Sequence, residues 1–579
     1  MTTFEPSKPI MRDPSFRDLF TPKLVTILRE GYTRSALAAD LMAGLTVAIV
    51  ALPLSMAIAI ASGATPERGL IAAIIGGFLI SALGGSRFQI GGPAGAFIVL
   101  VSVSFAEHGV EGTLLATMIA GVILIAIGLL QLGTFIKFIP YPVTVGFTAG
   151  IAVIILASQV RELFGLQLAG PEPPEIFPKL LALGEAAGTF DPAAAAISGL
   201  SIAIIVALRI WRPGWPGILI AVISCAVATS AFDLPIATIG SRFGGLPQSL
   251  PVPSLPSFSW AQVSAVFPTA IAFALLGAIE SLLSAVVADG MTGRRHRSNC
   301  ELVAQGVANI GSALFGGLVV TGAIARTATN VRAGAHGPVS GMAHAVYILG
   351  FMLIAAPLAA YIPLAALAGV LVIVAWNMAE RHAFVTLLKA SRGDALVLLA
   401  TFLLTVFRDL TEAIVVGFLL GAVLFIHRMS QSVGVDAQTP FAEPDRPDHS
   451  LGPRTAYDPS GARDPYIVVY RISGAFFFGA ASTVAAVLDR IQASHKAFII
   501  DFAAVPFLDS TAAHVLSDAI AKAERQGVRV LLTAVSDTVA RTLAAQGVCP
   551  PRVMVYASID EALKACSGKV DAGFPSGHA

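Results

Sequence analysis

Stretches of uncharged, mostly apolar residues recur from residue 41 to residue 427, and many of them are about 20 residues long or longer. A helix needs about that length to cross the hydrocarbon core of a bilayer. The clearest examples are 41–66, 112–136, 138–160, 213–232 and 243–279. Together these stretches make up about fourteen segments, so the sequence predicts a polytopic α-helical membrane protein.

The composition supports this fold class and narrows the function classes. Hydrophobic residues make up 55% of the chain and charged residues 13%, against roughly 25% charged residues in soluble domains. The 37 basic and 36 acidic residues leave a net charge of +1, so we expect no nucleic-acid partner. The 4 cysteines stand at unrelated spacings, which disfavours a disulfide framework and a zinc site.

The basic residues between the segments predict the orientation. An even number of segments places both termini on one side of the membrane, and the loops on that side carry most of the Lys and Arg residues. Because Lys and Arg favour cytoplasmic loops, we expect both termini to be cytoplasmic. The first 38 residues contain no early apolar run, so we expect no cleavable signal peptide.

The composition changes after the last apolar segment. Residues 431–464 are rich in Pro, Asp and Arg, as is typical of a linker, and residues 465–567 alternate strand and helix patterns. This alternation predicts a small cytoplasmic α/β domain with a mixed sheet. We therefore divide the chain into an N-terminal segment (1–38), a membrane domain (39–430), the linker, the α/β domain and a C-terminal tail (568–579).

Two membrane segments are predicted to be interrupted, the first by its Gly residues and Pro93, and the second because it follows the pair Gly316–Gly317. They are GGPAGAF (91–97) and, in the other half of the chain, TGAIARTATN (321–330). Interrupted segments at corresponding positions of two halves indicate a transporter site, at which each half-helix directs its positive N-terminus. Neither segment contains a carboxylate to offset these N-termini and Arg326, which predicts an anion as the ligand. The simpler alternatives are a Pro kink at Pro93 and an Arg326 that reaches the membrane surface.

Glu280 interrupts the apolar stretch 273–290. A carboxylate at membrane depth is costly and is therefore a functional candidate. It is predicted to carry a proton, and the alternative is a structural ion pair with Arg326.

Four stretches and a C-terminal domain together resemble the SulP/SLC26 anion-transporter family over nearly the whole chain. The stretches are ADLMAGLTVAIVALPLSMAIAIASG (39–63), GGSRFQIGGPAGAF (84–97), GAIESLLSAVVADGMTG (277–293) and SNCELVAQGVANIGSALFGG (298–317). The C-terminal domain resembles a STAS domain. The resemblance implies a seven-plus-seven inverted repeat with core and gate subdomains, elevator-like alternating access, a homodimer, and an anion held between the N-termini of the third and tenth membrane helices.

The family's site carries over residue by residue. The implied substrate-binding residues are Ala94, Gly95, Ala96 and Phe97 of the third membrane helix and Ala325, Arg326 and Thr327 of the tenth. The resemblance also places Glu280 on the eighth membrane helix, and we predict that it carries the coupled proton.

The sequence departs from the sodium-coupled bicarbonate members of the family, which use hydroxyl residues where this chain has Ala94 and Ile324. Only Ser284 remains next to Glu280, and sodium requires oxygen ligands, so proton coupling is favoured over sodium. GAIESLLSAVVADGMTG and AIARTATNVRAGA (323–335) are most similar to the proteobacterial C4-dicarboxylate transporter of the family, which implies a bacterial inner membrane. Sulfate and dicarboxylate are both divalent, and the site residues do not separate them.

In the C-terminal domain, DFAAVPFLDSTAAHVL (501–516) resembles the strand, loop and helix of STAS and anti-sigma-factor antagonist domains. A Ser after an Asp can be phosphorylated in those domains, and Ser510 after Asp509 matches this pattern. Ser510 is therefore a candidate phosphorylation site, and a capping role at the start of the helix is the simpler interpretation. The domain is expected to bind a regulatory protein partner, and no cofactor or metal is expected.

These observations predict a secondary active transporter of small anions, of the sulfate or C4-dicarboxylate type, coupled to protons. The alternatives are a sodium-coupled bicarbonate transporter and a membrane-tethered anion sensor, which would bind anions without accumulating them. A nucleobase permease has a related fold but carries acids on both the eighth and the tenth helix, where this chain has Arg326. Neither a catalytic constellation nor a P-loop is present, so we expect no enzyme and no use of ATP.

Overall fold

The computed structural model describes residues 16–136, 140–170, 172–173, 175–212, 215–408, 410–431, 434–437, 467–476 and 497–567. The described residues form two compact units, one before Leu420 and the other from Leu420 onwards. The helix predicted at 482–492, the tail and most of the linker lie outside the described residues.

Helices make up the first unit, and eight of those described are long and apolar enough to cross a membrane by length and composition. The helices before residue 250 are α1 (Phe16–Phe20), α2 (Lys23–Glu30), α3 (Arg34–Ala61), α4 (Pro66–Ile71), α5 (Gly77–Leu83), α6 (Ile98–Leu129), α7 (Gly133–Ile136), α8 (Tyr141–Phe164), α9 (Ile176–Glu185), α10 (Pro192–Trp211), α11 (Gly217–Ala231) and α12 (Ile239–Phe243). The later ones are α13 (Trp260–Thr292), α14 (Ser298–Leu314), α15 (Ile324–Arg332), α16 (Val339–Ile354), α17 (Ala356–Ala359), α18 (Leu364–Met378), α19 (Arg381–Ala390), α20 (Arg392–Phe407) and α21 (Leu410–Gln431).

The predicted segments are recovered when broken helices are taken into account. A π-helical turn joins α4 and α5 into the second segment, and α6 supplies both the third and the fourth because its backbone turns at Gly109, whose φ is 67°. This left-handed conformation favours glycine. When the shorter apolar helices α11 and α16 and the helices α14, α15 and α20 are counted as well, the described part of the chain has seven segments before residue 240 and seven after it. The tenth segment is α15, and the eighth is α13.

The eighth segment is shorter than its apolar stretch. The stretch runs over 243–279, whereas α13 begins only at Trp260. Four prolines at 247, 251, 253 and 256 disfavour helical backbone before that point. The Ser259 side chain then caps α13 by accepting a hydrogen bond from the Gln262 N–H at 3.2 Å.

The described helices form two bundles. One contains α3, α6, α13, α14 and α16, and in the other α8 packs against α18 and α20. In the first bundle α6 and α14 cross at Gly121 and Gly306, where a methyl group on either residue would collide with the backbone of the other helix. The bundles correspond to the core and gate subdomains that the family resemblance implies.

Two unwound segments lie inside the core bundle. Strand β1 (Gly91–Gly92) precedes the third membrane helix, strand β2 (Thr321–Gly322) precedes α15, and the two pair antiparallel. Both predicted interruptions are therefore present, and the alternative of an ordinary kink at Pro93 is wrong.

Asn309 of α14 holds the second unwound segment in place. This fully buried amide accepts a hydrogen bond from the Val320 N–H at 2.9 Å and donates to the Val320 carbonyl at 2.8 Å. Asn309→Leu would leave both backbone groups without a partner in a dry interior, at a cost of about 1–3 kcal/mol each. We expect a clearly lower thermal unfolding midpoint in detergent for this variant. Asn377→Leu, at an exposed Asn of α18, is the control. Equal midpoints for the two variants would contradict the claim that Asn309 holds the second unwound segment in place.

The second unit contains a five-stranded sheet among its described residues. Its strands lie in chain order: β3 (Gly434–Ala437), β4 (Ile467–Ser473), β5 (Ala497–Ala504), β6 (Arg529–Thr533) and β7 (Met554–Tyr556). β3 is antiparallel to β4 and the other neighbours are parallel, which confirms the predicted mixed sheet. β3 falls within the predicted linker, because four residues with one large apolar side chain give no strand signal and the pairing with β4 fixes them.

After the end of α21, three further helices of this unit are described: α22 (Ser510–Arg525), α23 (Asp537–Ala545) and α24 (Ile559–Ser567). Asp509 is the residue that caps α22, since its side chain accepts from the Ala512 N–H at 2.8 Å. The predicted capping role of Ser510 is therefore wrong. Ser510 is the first helical residue and is exposed. The Asp509 side chain, one position earlier, already satisfies the Ala512 N–H that a capping Ser510 would otherwise have served.

Candidate functional site

The two unwound segments bring two helix N-termini to one place. Ala94 and Ala323 have extended backbone, at φ −114° and −93°, and the helices start directly after them. Since β1 and β2 run in opposite directions, the helices leave the two-residue ladder in opposite directions, and each has its N-terminal end at the ladder. Neither helix start has a side-chain cap. The first N–H groups of both helices are thus available to a ligand, and both dipoles favour an anion there.

Hydrogen bonds between the two halves fix this crossing. The Ile90 N–H donates to Thr327 Oγ1 at 3.2 Å, and the Ile90 carbonyl accepts from the Ala323 N–H at 3.0 Å. One turn further along α15, Asn330 Nδ2 donates to the Phe88 carbonyl at 3.0 Å. Residues 88–90, which lead into the third membrane helix, are therefore hydrogen-bonded to one side of α15.

One face of α13 supports both unwound segments and carries Glu280. The Gly277 carbonyl accepts from Thr321 Oγ1 at 3.1 Å, and Ser284 Oγ donates to Thr327 Oγ1 at 3.0 Å. Glu280 lies between Gly277 and Ser284, one turn from each on the same face. It is half-buried, and its carboxylate has neither a hydrogen-bond nor an ion-pair partner among the described residues. The alternative pairing of Glu280 with Arg326 is not formed.

Arg326 lies inside the protein and does not reach the membrane surface. Only 2% of it is exposed, and Nη2 donates to Ser55 Oγ at 3.1 Å and to the Pro93 carbonyl at 3.2 Å. Its Nε and Nη1 have no partner, and no carboxylate of the described chain lies within ion-pair distance. A side chain at Gly92 would meet Nη1, so the glycine leaves room for the guanidinium in this position. The positive charge beside the helix start at Ala94 is thus uncompensated.

The predicted binding residues divide by exposure. Gly95 is partly exposed and Ala325 is exposed, so backbone at both helix starts is accessible. The buried members are Ala94, Ala96, Phe97, Arg326 and Thr327. Phe97 packs edge-on against Phe273 of α13, with ring centroids 6.0 Å apart. The buried members therefore support the site from inside the core bundle.

Two residues of the gate bundle face the site, and the sequence analysis does not single them out. A methyl group at Gly95 would lie 3.7 Å from Ile155 Cδ1 of α8 and 3.8 Å from Met378 Sδ of α18. An Ile and a Met in apolar helices carry no signal that separates them from their lipid-facing neighbours. They form an apolar wall opposite the start of the third membrane helix.

Comparisons with known proteins agree with this architecture. The sulfate permease family matches residues 37–401, and the STAS domain matches residues 459–562. The chain is 40% identical to the "Putative sulfate transporter YvdB" of Bacillus subtilis over 87% of its length and 92% of that protein. It is 32% identical to the bicarbonate transporter BicA of Synechocystis, over 88% of this chain and 90% of that protein.

A solved structure shows the same fold. The structure of SLC26A9 superposes with a TM-score of 0.81 and covers 97% of both chains at 16% sequence identity. This likeness confirms the predicted helical membrane domain with a C-terminal STAS domain. The chain therefore belongs to the sulfate permease (SulP) family of anion transporters and carries that family's STAS domain.

Proposed function

We propose that the chain is a proton-coupled secondary transporter of a small divalent anion of the sulfate or C4-dicarboxylate type. The observation that carries this proposal is the uncompensated positive charge at the crossing of the two unwound segments. Two uncapped helix N-termini meet there, and the buried guanidinium of Arg326 has no acidic partner in the described chain. A buried cation without a counter-ion is costly, and an anion at the helix starts would offset that cost.

The anion would bind between the exposed backbone at Gly95 and Ala325. The N–H groups there donate to it, and Arg326 acts on it through its charge because the guanidinium is buried. Ile155 and Met378 contribute only apolar surface on the opposite side. A core bundle that holds all the polar groups, facing a gate wall that holds none of them, suits an elevator-like movement in which the core carries the anion past the gate.

Glu280 is the group we assign to proton coupling. It lies one turn from Gly277 and one turn from Ser284, whose side chain contacts Thr327, and it has no fixed partner in the described part of the chain. A free carboxylate close to an anion site is repelled by a divalent anion. Binding a proton at Glu280 removes that repulsion, so proton and anion would load together.

A sodium-coupled bicarbonate transporter is the second candidate, and its support is the 32% identity to BicA. The hydroxyl groups of Ser284 and Thr327, which lie on the side of α13 that carries Glu280, argue against a sodium site. Ser284 Oγ donates to Thr327 Oγ1, and Thr327 Oγ1 also accepts from the Ile90 N–H. Ile324, at the start of α15, offers no side-chain oxygen. Sodium would therefore have to compete with hydrogen bonds that stabilise the crossing.

Uptake into proteoliposomes separates these candidates. We expect accumulation of labelled sulfate when the outside is acidified, with competition by unlabelled sulfate, succinate or fumarate and little by chloride. Accumulation of bicarbonate that requires an inward sodium gradient and ignores pH would favour the second candidate. Binding without accumulation under either gradient would identify an anion sensor.

We also propose an orientation in the membrane, an oligomeric state and a role for the STAS domain. The basic loops support two cytoplasmic termini in a bacterial inner membrane. A homodimer and a regulatory partner of the STAS domain, with Ser510 as a candidate phosphorylation site, follow from the resemblance to the family.

Anion binding should not require the second unit. Gly95, Ala325, Arg326 and Glu280 all lie in the first unit, and the sheet of the second unit begins with β3 at Gly434. We expect a protein that ends after Gln431 to bind sulfate with an affinity within about threefold of the full chain, measured by calorimetry in detergent. A folded, monodisperse truncated protein that shows no binding would contradict the claim that the first unit binds the anion by itself.

A further inference from the structure

A cavity of about 260 Å³ lies away from the crossing of the two unwound segments. It adjoins the C-terminal end of α3, and therefore the membrane face opposite the N-terminus. Ala57, Ala61 and Ser102 form its wall on the core bundle. Side chains of α8, α9, α12 and α18, among them Gln159 and Leu367, form the wall on the gate side. We refer to it as the distal cavity.

The gate wall of the distal cavity is basic. Arg161, Lys179 and Arg242 line it together with only two carboxylates, Glu162 and Glu172. Glu162 is shared between two arginines, at 2.5 Å from Arg242 Nη1 and 3.8 Å from Arg161 Nε. Arg161 is thus only loosely compensated, and the cavity has an excess of positive charge.

Several polar groups of the distal cavity have unused hydrogen-bonding capacity. The Lys179 side chain is 7% exposed, and its ammonium contacts Glu172 at 3.0 Å and Ser158 Oγ at 2.8 Å, which leaves one of its three donors. Gln159 is only 4% exposed. Neither its amide nor the Ser102 hydroxyl has a hydrogen-bond partner in the described chain, and both residues line the cavity. These groups face the cavity with free hydrogen-bonding capacity, so they can donate to a polar ligand there.

The distal cavity and the candidate site lie along the same two helices. Ser102 is on the same helix as Gly95, seven residues further along, or about 10 Å at 1.5 Å per residue. Leu367 is on the same helix as Met378, which faces Gly95. The two sites therefore share a core helix and a gate helix.

We propose that the distal cavity is a second oxyanion site, which the substrate occupies between the candidate site and the membrane face opposite the N-terminus. Lys179, Gln159 and Ser102 donate to the anion, and the arginines attract it. This inference rests on the proposed function, since it assigns a second binding site to the same substrate.

The charge of the distal cavity can be measured with thiol reagents of opposite sign. The probe is Ser102→Cys in full-length protein whose four cysteines are replaced by Ser, reconstituted in liposomes, with Ala61→Cys as a second probe position. We expect the anionic reagent MTSES to react about tenfold faster than the cationic MTSET, as electrostatic attraction in a charged cleft predicts. Sulfate should slow the reaction. Lys179→Gln should abolish the preference, and Arg212→Gln, at an exposed basic residue outside the cavity, should leave it unchanged.

Equal rates for the two reagents at both probe positions, or a preference that survives Lys179→Gln, would overturn the second site. Adding Arg326→Met separates it from the proposed function. Protection by sulfate should persist in that variant, because the distal cavity does not contain Arg326. Protection that disappears with Arg326→Met would place the anion at the crossing alone and overturn the second site. Charge preference and protection in vesicles that never accumulate sulfate would instead refute transport and leave the second site standing.

Discussion

Arg326→Met should weaken sulfate binding roughly thirtyfold, because the attraction between two charges a few ångströms apart at an effective dielectric constant of about 20 is worth about 2 kcal/mol or more. Met keeps an unbranched apolar chain, although a shorter one, and removes the charge and the donors. The loss should be similar for every divalent anion of the panel, since the guanidinium acts through its charge and is only 2% exposed. Isothermal calorimetry of purified protein in detergent gives the affinity.

The same variant separates binding from folding. Arg326 Nε and Nη1 have no partner in the described chain, and replacing an uncompensated buried charge with an apolar side chain is often neutral or stabilising. We therefore expect the anion-free Arg326→Met protein to unfold at the wild-type temperature or above it, while the stabilisation by added sulfate is lost. Arg332→Met, at an exposed arginine of the same helix, is the control. Wild-type affinity in Arg326→Met would exclude Arg326 from the site.

Glu280→Gln should abolish accumulation but preserve exchange. Gln keeps the shape and hydrogen-bonding capacity of a protonated Glu and fixes the neutral state. The loaded core can then still cross the membrane, whereas a pH gradient has no group on which to act. In proteoliposomes we expect sulfate–sulfate exchange within about threefold of wild type and acid-driven accumulation near background.

Glu185→Gln is the matched control, because Glu185 is an exposed acid of α9. It should accumulate sulfate like the wild type. Acid-driven accumulation that survives in Glu280→Gln would rule out the proton role. Loss of both exchange and accumulation in a folded protein would indicate that the carboxylate itself is needed for binding.

Local sequence signals predict the unwound segments because their cause is local. Gly91, Gly92 and Pro93 disfavour a continuous helix wherever they stand in a membrane segment. The pairing of β1 with β2 joins residues more than 200 positions apart, and no pattern within either segment specifies this partner. The resemblance to a known family supplies that juxtaposition, and the hydrogen bonds of Ile90 and Thr327 explain how this chain maintains it.

The burial of individual side chains is the part of the site that could not be predicted from the sequence. Ala96 and Phe97 are predicted to bind the substrate, yet Phe97 packs against Phe273 because the third membrane helix lies against α13. Ile155 and Met378 face the site for the converse reason, since only tertiary packing selects them from among many apolar residues. Charged and buried polar groups at membrane depth, such as Glu280 and Arg326, are the exceptions, because their energetic cost marks them in the sequence.

The location of the bound anion tests the central claim most directly. Electron cryomicroscopy of the full-length protein in nanodiscs, at a sulfate concentration that saturates binding, should show density between the helix starts at Gly95 and Ala325. The same density should be absent in Arg326→Met under identical conditions. Saturated binding with no density at the crossing of the two unwound segments, or with density that persists unchanged in Arg326→Met, would contradict the claim that the two helix N-termini and this buried arginine hold the transported anion.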